Sequence, residues 1–100
     1  MSEIRQNDVG TKIRLEVIEN DVVVDISTAT GMQIVFLRPD NTKVTKTATL
    51  ATDGKDGLMQ YTTIAGDMEQ AGFWQAQGSL TIGTWSGKTA PVSFEVQPNL

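Results

Sequence analysis

The residues able to do chemistry in this chain are carboxylates, lysines and hydroxyls, because its 100 residues include neither histidine nor cysteine. Histidine and cysteine carry much of the nucleophilic and acid–base catalysis that proteins perform near neutral pH. The sequence contains no G-x-S-x-G, P-loop or G-x-G-x-x-G pattern. Its 12 acidic residues mostly stand singly in turns or on polar strand faces. We therefore expect no enzyme, no catalytic residue and no cofactor.

The segment Asp53-Gly54-Lys55-Asp56-Gly57 is the candidate for a metal site. Two carboxylates and flexible backbone carbonyls suit Ca²⁺, which prefers hard oxygen ligands. The segment lacks the further acids and the distal glutamate of an EF-hand loop, and Lys55 separates its two carboxylates. A simple hairpin loop is therefore favoured, and no metal site is predicted.

Composition and charge limit the remaining function classes. The net charge is −4, and the eight lysines and arginines are scattered without a basic run, so nucleic-acid binding is not expected. Apolar runs such as 22–24 and 34–37 are far shorter than the roughly 20 residues of a membrane span, so no membrane partner is expected. At 100 residues without a linker or a repeat, we expect one domain over 1–100, with its core at about 9–97.

Alternation of apolar and polar residues dominates the chain and predicts β-strands. The predicted strands cover 11–18, 22–25, 32–37, 44–52, 58–64, 73–82 and 92–96. Turn residues separate them about every ten positions, as in the polar turn 19–21 and the Pro-Asp-Asn turn at 39–41. The segment 66–72 predicts one short helical turn, with Asp67 as its cap and Gly72 at its end. This pattern predicts an all-β protein, an immunoglobulin-like β-sandwich of about seven antiparallel strands.

The second face of the third predicted strand is a candidate interaction surface. If Met32, Ile34 and Phe36 point into the core, Val35 and Leu37 point outward, and Val23 does so on the preceding strand. Outward apolar residues of this kind are either covered by a neighbouring loop or available to a partner chain. Val23, Val35 and Leu37 are therefore the candidate partner interface, and exposed strand edges offer a second route to assembly.

The aromatic residues offer an alternative binding site. Tyr61, Phe73, Trp74 and Trp85 are candidates for a platform on which a sugar stacks. Tyr61 and Trp74 fall on the inward faces of their strands, which favours a packing role for both. Trp85 lies among glycines in a predicted loop, so either loop packing or a ligand contact fits it. We keep Trp85 as the candidate ligand contact.

A series of short motifs carries a resemblance to a known family. The motifs are Val24-Asp25-Ile26-Ser27 with Ala29, Phe36 with Pro39-Asp40, Gly57 to Tyr61, Ala71 to Ala76, and Phe94-Glu95-Val96. Their order resembles the immunoglobulin-like N-terminal domain of phage baseplate upper proteins and related domains of tailed-phage virions. The resemblance covers about 9–97. Asn41 stands where the family usually has glycine after Pro-Asp, and the family's proteins carry further domains beyond this one.

The resemblance implies a non-catalytic structural component of a tailed-phage virion. It implies a place in the tail or baseplate and a mechanism of symmetric protein–protein docking. The expected partners are other virion proteins, either as a homo-oligomer or as a ring of neighbouring subunits. The expected location is the virion, assembled in the host cytoplasm. Two alternatives remain open: a head decoration protein on the capsid surface, and a carbohydrate or host-surface binding module with Trp85 at its site.

Overall fold

The computed structural model describes residues 4–99, which form strands joined by turns and loops. The strands are β1 Ile4–Arg5, β2 Lys12–Glu16, β3 Ile18–Glu19, β4 Val22–Val23, β5 Thr30–Leu37, β6 Lys43–Thr47, β7 Thr49–Leu50, β8 Leu58–Thr62, β9 Gly72–Ile82, β10 Trp85–Lys88 and β11 Val92–Gln97. Over these residues there is no helix of the length and apolarity that a membrane crossing requires.

The alternation of the sequence sets which side of each strand is buried. In β2, Ile13 and Leu15 are buried while the residues between them are exposed. In β9, the inward set contains Trp74, Ala76 and Leu80, all buried as the alternation predicts. Successive side chains of a strand point to opposite faces, so each strand of this kind has one core face and one outer face.

Two main sheets form the sandwich. The large sheet has the strand order β1-β11-β9-β5-β6, with β10 pairing β9 beyond the end of β11. The small sheet has the order β2-β8-β7, and β3 with β4 forms a separate hairpin. Neighbouring strands are antiparallel except for β1 and β11, which run parallel. The prediction of an all-β, immunoglobulin-like sandwich is confirmed.

One predicted strand is divided between the two sheets. The chain over 44–52 forms β6 in the large sheet and then β7 in the small sheet. The change of sheet falls at buried Ala48, whose N–H donates to the carbonyl of Met32 at 3.0 Å. This division is one reason that the described strands outnumber the seven predicted.

The core lies between the sheets and is built around an aromatic cluster. Phe36 contacts Trp74 and Phe94 edge-on, at centroid distances of 6.4 and 6.5 Å, and Trp74 stacks on Phe94 at 6.0 Å. Aromatic pairs prefer these offset and edge-on geometries because the ring faces are negative and the edges positive. Ile4, only 2% exposed, joins the same core, which thus begins before the predicted position 9. Residues 1–3 and 100 of the predicted domain lie outside the described part.

Two local predictions require correction. The segment 66–72 contains no helical turn, because residues 65–68 form a β-turn-like bend and β9 begins at Gly72. The bend is closed by the N–H of Asp67, which donates to the carbonyl of Ile64 at 3.1 Å. Trp85 does not lie in a loop, since it begins β10 and pairs with Ile82 across a tight turn. Gly83 lies in this turn, and Gly87 leaves room for the ring of Trp85. In the sequence alone, glycines with these two roles have the same pattern as glycines of a loop.

Candidate interaction surfaces

The outer face of the large sheet carries two of the predicted interface residues side by side. Val35 lies between Thr45 of β6 and Gln77 of β9, and Leu37 lies between Lys43 and Gln75 of the same strands. Both side chains are half-buried. With Pro91 they line a shallow groove of about 190 Å³, which we call the sheet groove. Its lining residues are Val35, Leu37, Lys43, Gln75, Ala76, Gln77 and Pro91.

Phe73 extends the apolar surface beside the sheet groove. It lies on the outer side of β9, opposite Glu95 of β11, and 72% of its surface is exposed. Leu37 faces Gln75, two residues from Phe73, which makes Leu37 and Phe73 diagonal neighbours about 7–8 Å apart. Phe73 and Trp74 are therefore on opposite faces of β9, and the four aromatic residues considered from the sequence do not form one platform. The alternation around Trp74 was a sufficient signal that Phe73 points outward.

The third predicted interface residue, Val23, lies elsewhere, on the hairpin formed by β3 and β4. Ile18 pairs with Val23, and all three apolar residues of the hairpin are exposed: Ile18 by 48%, Val22 by 64% and Val23 by 42%. We call this element the apolar hairpin. Its turn residues Asn20 and Asp21 have φ angles of 52° and 63°, the left-handed values that a tight two-residue turn needs and that these residue types tolerate.

The loop 53–57 holds the apolar hairpin against the sandwich. The carbonyl of Gly57 accepts a hydrogen bond from the N–H of Val17 at 2.8 Å, and that of Gly54 accepts one from Ile26 at 2.9 Å. A side chain at Gly57 would come within 2.6 Å of Cγ1 of Val23. The two glycines are therefore needed for close backbone approach, which fixes the base of the hairpin on both sides.

The carboxylates of this loop are engaged by the loop itself. Asp53 accepts a hydrogen bond from the N–H of Lys55 at 3.0 Å. Asp56 accepts from the hydroxyl of Thr52 at 2.6 Å and from the N–H of Leu58 at 3.0 Å, and these bonds hold its pKa below the usual 3.8. Over residues 4–99 there is no group of three or more acidic side chains placed to share a metal ion. The geometry is that of a self-capped turn, as the hairpin-loop interpretation expects.

A polar cluster joins both sheets at the turn 65–68. Asp67, whose side chain is 9% exposed, pairs with Nζ of Lys46 at 3.1 Å and accepts from the hydroxyl of Tyr61 at 2.5 Å and from the N–H of Ile64 at 2.9 Å. Burial alone would raise the pKa of Asp67, but these hydrogen bonds and the lysine outweigh burial and lower it. Burial and the carboxylate raise the pKa of Tyr61 to about 12.

The same cluster lines a cavity of about 130 Å³ at the edge of the sandwich, beside Phe36 and Trp74. Both carboxylate oxygens of Asp67 already have partners within the protein. Lys46 comes from β6 of the large sheet and Tyr61 from β8 of the small sheet. The cluster therefore acts as a tie between the two sheets. Its signal in the sequence is Lys46, which alternation places on the inward face with Val44 and Ala48.

Trp85 is half-buried and packs against the core. Because it pairs with inward-facing Ile82, its ring lies on the inner side of the large sheet, where it covers Gly87 and leaves no room for a side chain there. This contact accounts for a glycine two residues after the tryptophan. Trp85 is thus separated from the sheet groove, which opens on the other face of the same sheet.

The fold and its surfaces define a class: an immunoglobulin-like sandwich that presents apolar side chains to solvent from a sheet face and from a hairpin. The family comparison is more specific. The chain matches the model of the BppU N-terminal domain over residues 2–100 and belongs to this family, the N-terminal domain of the phage baseplate upper protein. No curated protein matches the chain. The family confirms the resemblance drawn from the motif order.

Membership of this family gives the chain a place and a role. It is a structural protein of the phage baseplate, located in the virion and interacting with other virion proteins. A baseplate structural family points to a non-enzymatic role. The family supports the tail and baseplate prediction, whereas the head-decoration and carbohydrate-binding alternatives receive no support from it.

Proposed function

We propose that this domain is a rigid docking module of the baseplate, which binds neighbouring virion proteins through the outer face of the large sheet. The observation that carries the proposal is the exposure of Phe73, 72%, on the same face of the large sheet as the half-buried Leu37, which is its diagonal neighbour and lines the sheet groove with Val35. Complete burial of a phenylalanine side chain stabilises a complex by roughly 1.5–3 kcal/mol. Aromatic residues are the usual anchors of protein interfaces, and a neighbouring groove supplies the packing around them.

The position of these residues in the sheet favours docking without rearrangement. Val35 and Leu37 lie on β5, which is paired on both sides, and Phe73 lies on β9, also a central strand. The backbone that carries Val35 and Leu37 is therefore paired with a neighbouring strand on both edges, and the backbone at Phe73 is paired with Glu95 of β11. A surface fixed in this way loses little conformational entropy when it binds.

The engagement of the chain's clustered polar side chains in internal contacts also supports a mechanism of docking without catalysis. Asp67, Lys46 and Tyr61 are occupied in the tie between the sheets, and the carboxylates of loop 53–57 cap their own turn. Copies of the domain in a symmetric baseplate would use the same surface at each equivalent position. The docking is therefore proposed to be symmetric, with each copy engaging a neighbour of the same kind.

Substitution of Leu37 by glutamate in the phage gene tests the proposal. The new carboxylate would stand opposite Lys43 in the sheet, an opposite-charge pair that keeps the fold, while it adds charge to the groove. The matched control is Thr62→Glu, which places the same carboxylate opposite Lys12 on the exposed face of the small sheet. We expect the amount of the Leu37→Glu protein incorporated into particles to be at least about tenfold lower than that of the unchanged protein. A tenfold fall is the equivalent of roughly 1.4 kcal/mol of lost binding free energy. Equal incorporation of the two variants would overturn the proposal.

A further inference from the structure

We infer that the sheet groove receives the apolar hairpin of a second copy of this chain, in a head-to-tail contact. The inference rests on the proposed docking function and names one of its partners. The two surfaces lie on different elements of the molecule: the groove is on β5, β6 and β9, and the hairpin is formed by β3 and β4. A contact between two unlike surfaces of identical chains repeats from copy to copy and closes into a ring or continues as a fibre.

The charges of the two surfaces are complementary. The hairpin segment 16–25 contains four carboxylates, Glu16, Glu19, Asp21 and Asp25, and no lysine or arginine. The sheet groove has Lys43 among its lining residues and no carboxylate. Opposite charges at the rim of an apolar contact orient the two partners and suppress wrong pairings. Hairpin against hairpin would place these carboxylates together, and groove against groove would place two lysines together.

The shapes of the two surfaces are complementary too. The hairpin is a two-stranded element separate from both main sheets, and its most exposed apolar side chain, Val22, lies beside the two-residue turn. The groove is a shallow apolar depression of about 190 Å³, floored by the sheet between Val35 and Leu37. An exposed apolar patch and an apolar depression elsewhere on the same molecule are the two elements that a head-to-tail contact requires.

The contact is expected to be weak between two free copies. A two-stranded hairpin covers less than the roughly 800 Å² per partner that stable interfaces bury, so the dissociation constant should be of the order of 0.1–1 mM. In a closed ring each copy is held by two such contacts, which raises the overall affinity without a new interaction. The carboxylate–lysine component should make the association weaker at higher salt concentration.

Two variants separate the surfaces. Val22→Lys replaces the apolar side chain beside the turn with a positive charge, and the lysine stands opposite Glu19, an opposite-charge pair that preserves the hairpin. Leu37→Glu fills the groove with charge, as described above. The matched control for the hairpin is Val9→Lys, because Val9 lies outside the strands and is 63% exposed, against 64% for Val22. Thr62→Glu is again the control for the groove.

The test is a nuclear magnetic resonance titration of two variants at up to about 1 mM, in the range of the expected dissociation constant. Isotope-labelled Val22→Lys retains only the groove, and unlabelled Leu37→Glu retains only the hairpin. We expect amide shifts in the labelled chain around Val35, Leu37 and Gln77, none at its own hairpin, and reduced shifts at high salt. When Val9→Lys is labelled and Thr62→Glu is added, both surfaces should shift.

The outcomes distinguish this inference from the proposed function. Absence of groove shifts in the mixture of Val22→Lys and Leu37→Glu overturns the head-to-tail contact, as does a shift of both surfaces together. If the titration overturns the head-to-tail contact but Leu37→Glu is still excluded from particles, the groove binds a different virion protein and the docking function stands. If Leu37→Glu is incorporated normally, the docking function fails independently of the titration.

Discussion

Replacement of Asp67 by alanine should lower the free energy of unfolding more than the same replacement of an exposed acid would. The carboxylate is 9% exposed and holds Lys46, Tyr61 and the N–H of Ile64 at 2.5–3.1 Å. Two hydrogen bonds to a charged acceptor contribute roughly 1.5–3 kcal/mol each, and a partly exposed ion pair adds about 0–1 kcal/mol. Because Tyr61 and Lys46 regain water through the adjacent cavity, we expect a net loss of about 2–4 kcal/mol in the free energy of unfolding.

Chemical denaturation with urea measures this loss, and thermal unfolding should show a fall of about 10–25 °C in Tm for a domain of this size. Glu69→Ala is the control, an exposed acid just beyond the same turn, with an expected change within about 0.5 kcal/mol. Combining Asp67→Ala with Tyr61→Phe should give an effect smaller than the sum by at least about 1 kcal/mol, because both changes remove the same hydrogen bond. A loss below about 1 kcal/mol, or full additivity of the two changes, would refute the assignment of this cluster as the tie between the sheets.

The pH dependence provides a second assay of the same cluster. Since the pKa of Asp67 is lowered below 3.8 by folding, its contribution is present above the unfolded value and is lost as the pH falls through the folded value. The stability difference between the protein and Asp67→Asn should therefore shrink in strong acid. Since the pKa of Tyr61 is raised to about 12 from 10.0, its contribution is complete below pH 10 and is lost as the pH rises toward 12. Tyr61→Phe should lack that alkaline loss, and an identical alkaline profile in the two proteins would count against the hydrogen bond.

Three further changes probe the loops and the core. Gly54→Ala should destabilise the protein by more than about 1–2 kcal/mol in urea titrations, because the backbone is left-handed there (φ 88°) and the added carbon meets the backbone of Ser27 at 2.7 Å. A stable Gly54→Ala variant would show that the loop does not fix the base of the hairpin. Thr89→Val should cost about 1–3 kcal/mol, because its buried hydroxyl accepts from the N–H of Gly78 at 2.9 Å, whereas Thr89→Ser should restore most of that stability. Calcium at millimolar concentration should leave Tm unchanged, since the carboxylates of loop 53–57 cap their own turn; a rise in Tm would reveal a metal site there.

Much of the sandwich could be predicted from the sequence because burial alternates with the same period as the side chains. The inward set of β9 and that of β2 follow directly from this alternation. The polar turn before Val22 was recognisable from Asn20 and Asp21, two residue types that tolerate left-handed backbone. The change of sheet at Ala48 was not recognisable from the sequence, because β6 and β7 continue one alternating pattern although they pair with different strands.

The interaction surfaces were predictable only in part. Val35 and Leu37 follow from alternation, and their groove follows from the pairing of β5 with β6 and β9, which no local pattern specifies. Phe73 was grouped with Trp74 by residue type, although the period of the strand separates them. The glycines around Trp85 were interpreted as a loop, whereas Gly87 serves the packing of the tryptophan ring on β10.

The partner of Asp67 could not have been identified in advance. Lys46 lies 21 positions away in the chain and on a different sheet from Tyr61, so their meeting depends on how the two sheets are stacked. The alternation of β6 did place a lysine on the inward face, and an inward-facing, half-buried charge favours a partner of opposite charge. That requirement predicts that a carboxylate lies nearby, but it does not specify which of the 12 acids it is.

Site-specific photo-crosslinking within assembled phage particles tests the central claim most directly. A photoreactive amino acid at position 37 would lie in the sheet groove, and one at position 62 would lie on the exposed face of the small sheet. Docking through the outer face of the large sheet predicts crosslinks to another virion protein, or to a second copy, from position 37 and few from position 62. Crosslinks from position 62 with none from position 37, in particles that carry both proteins in normal amount, would contradict it.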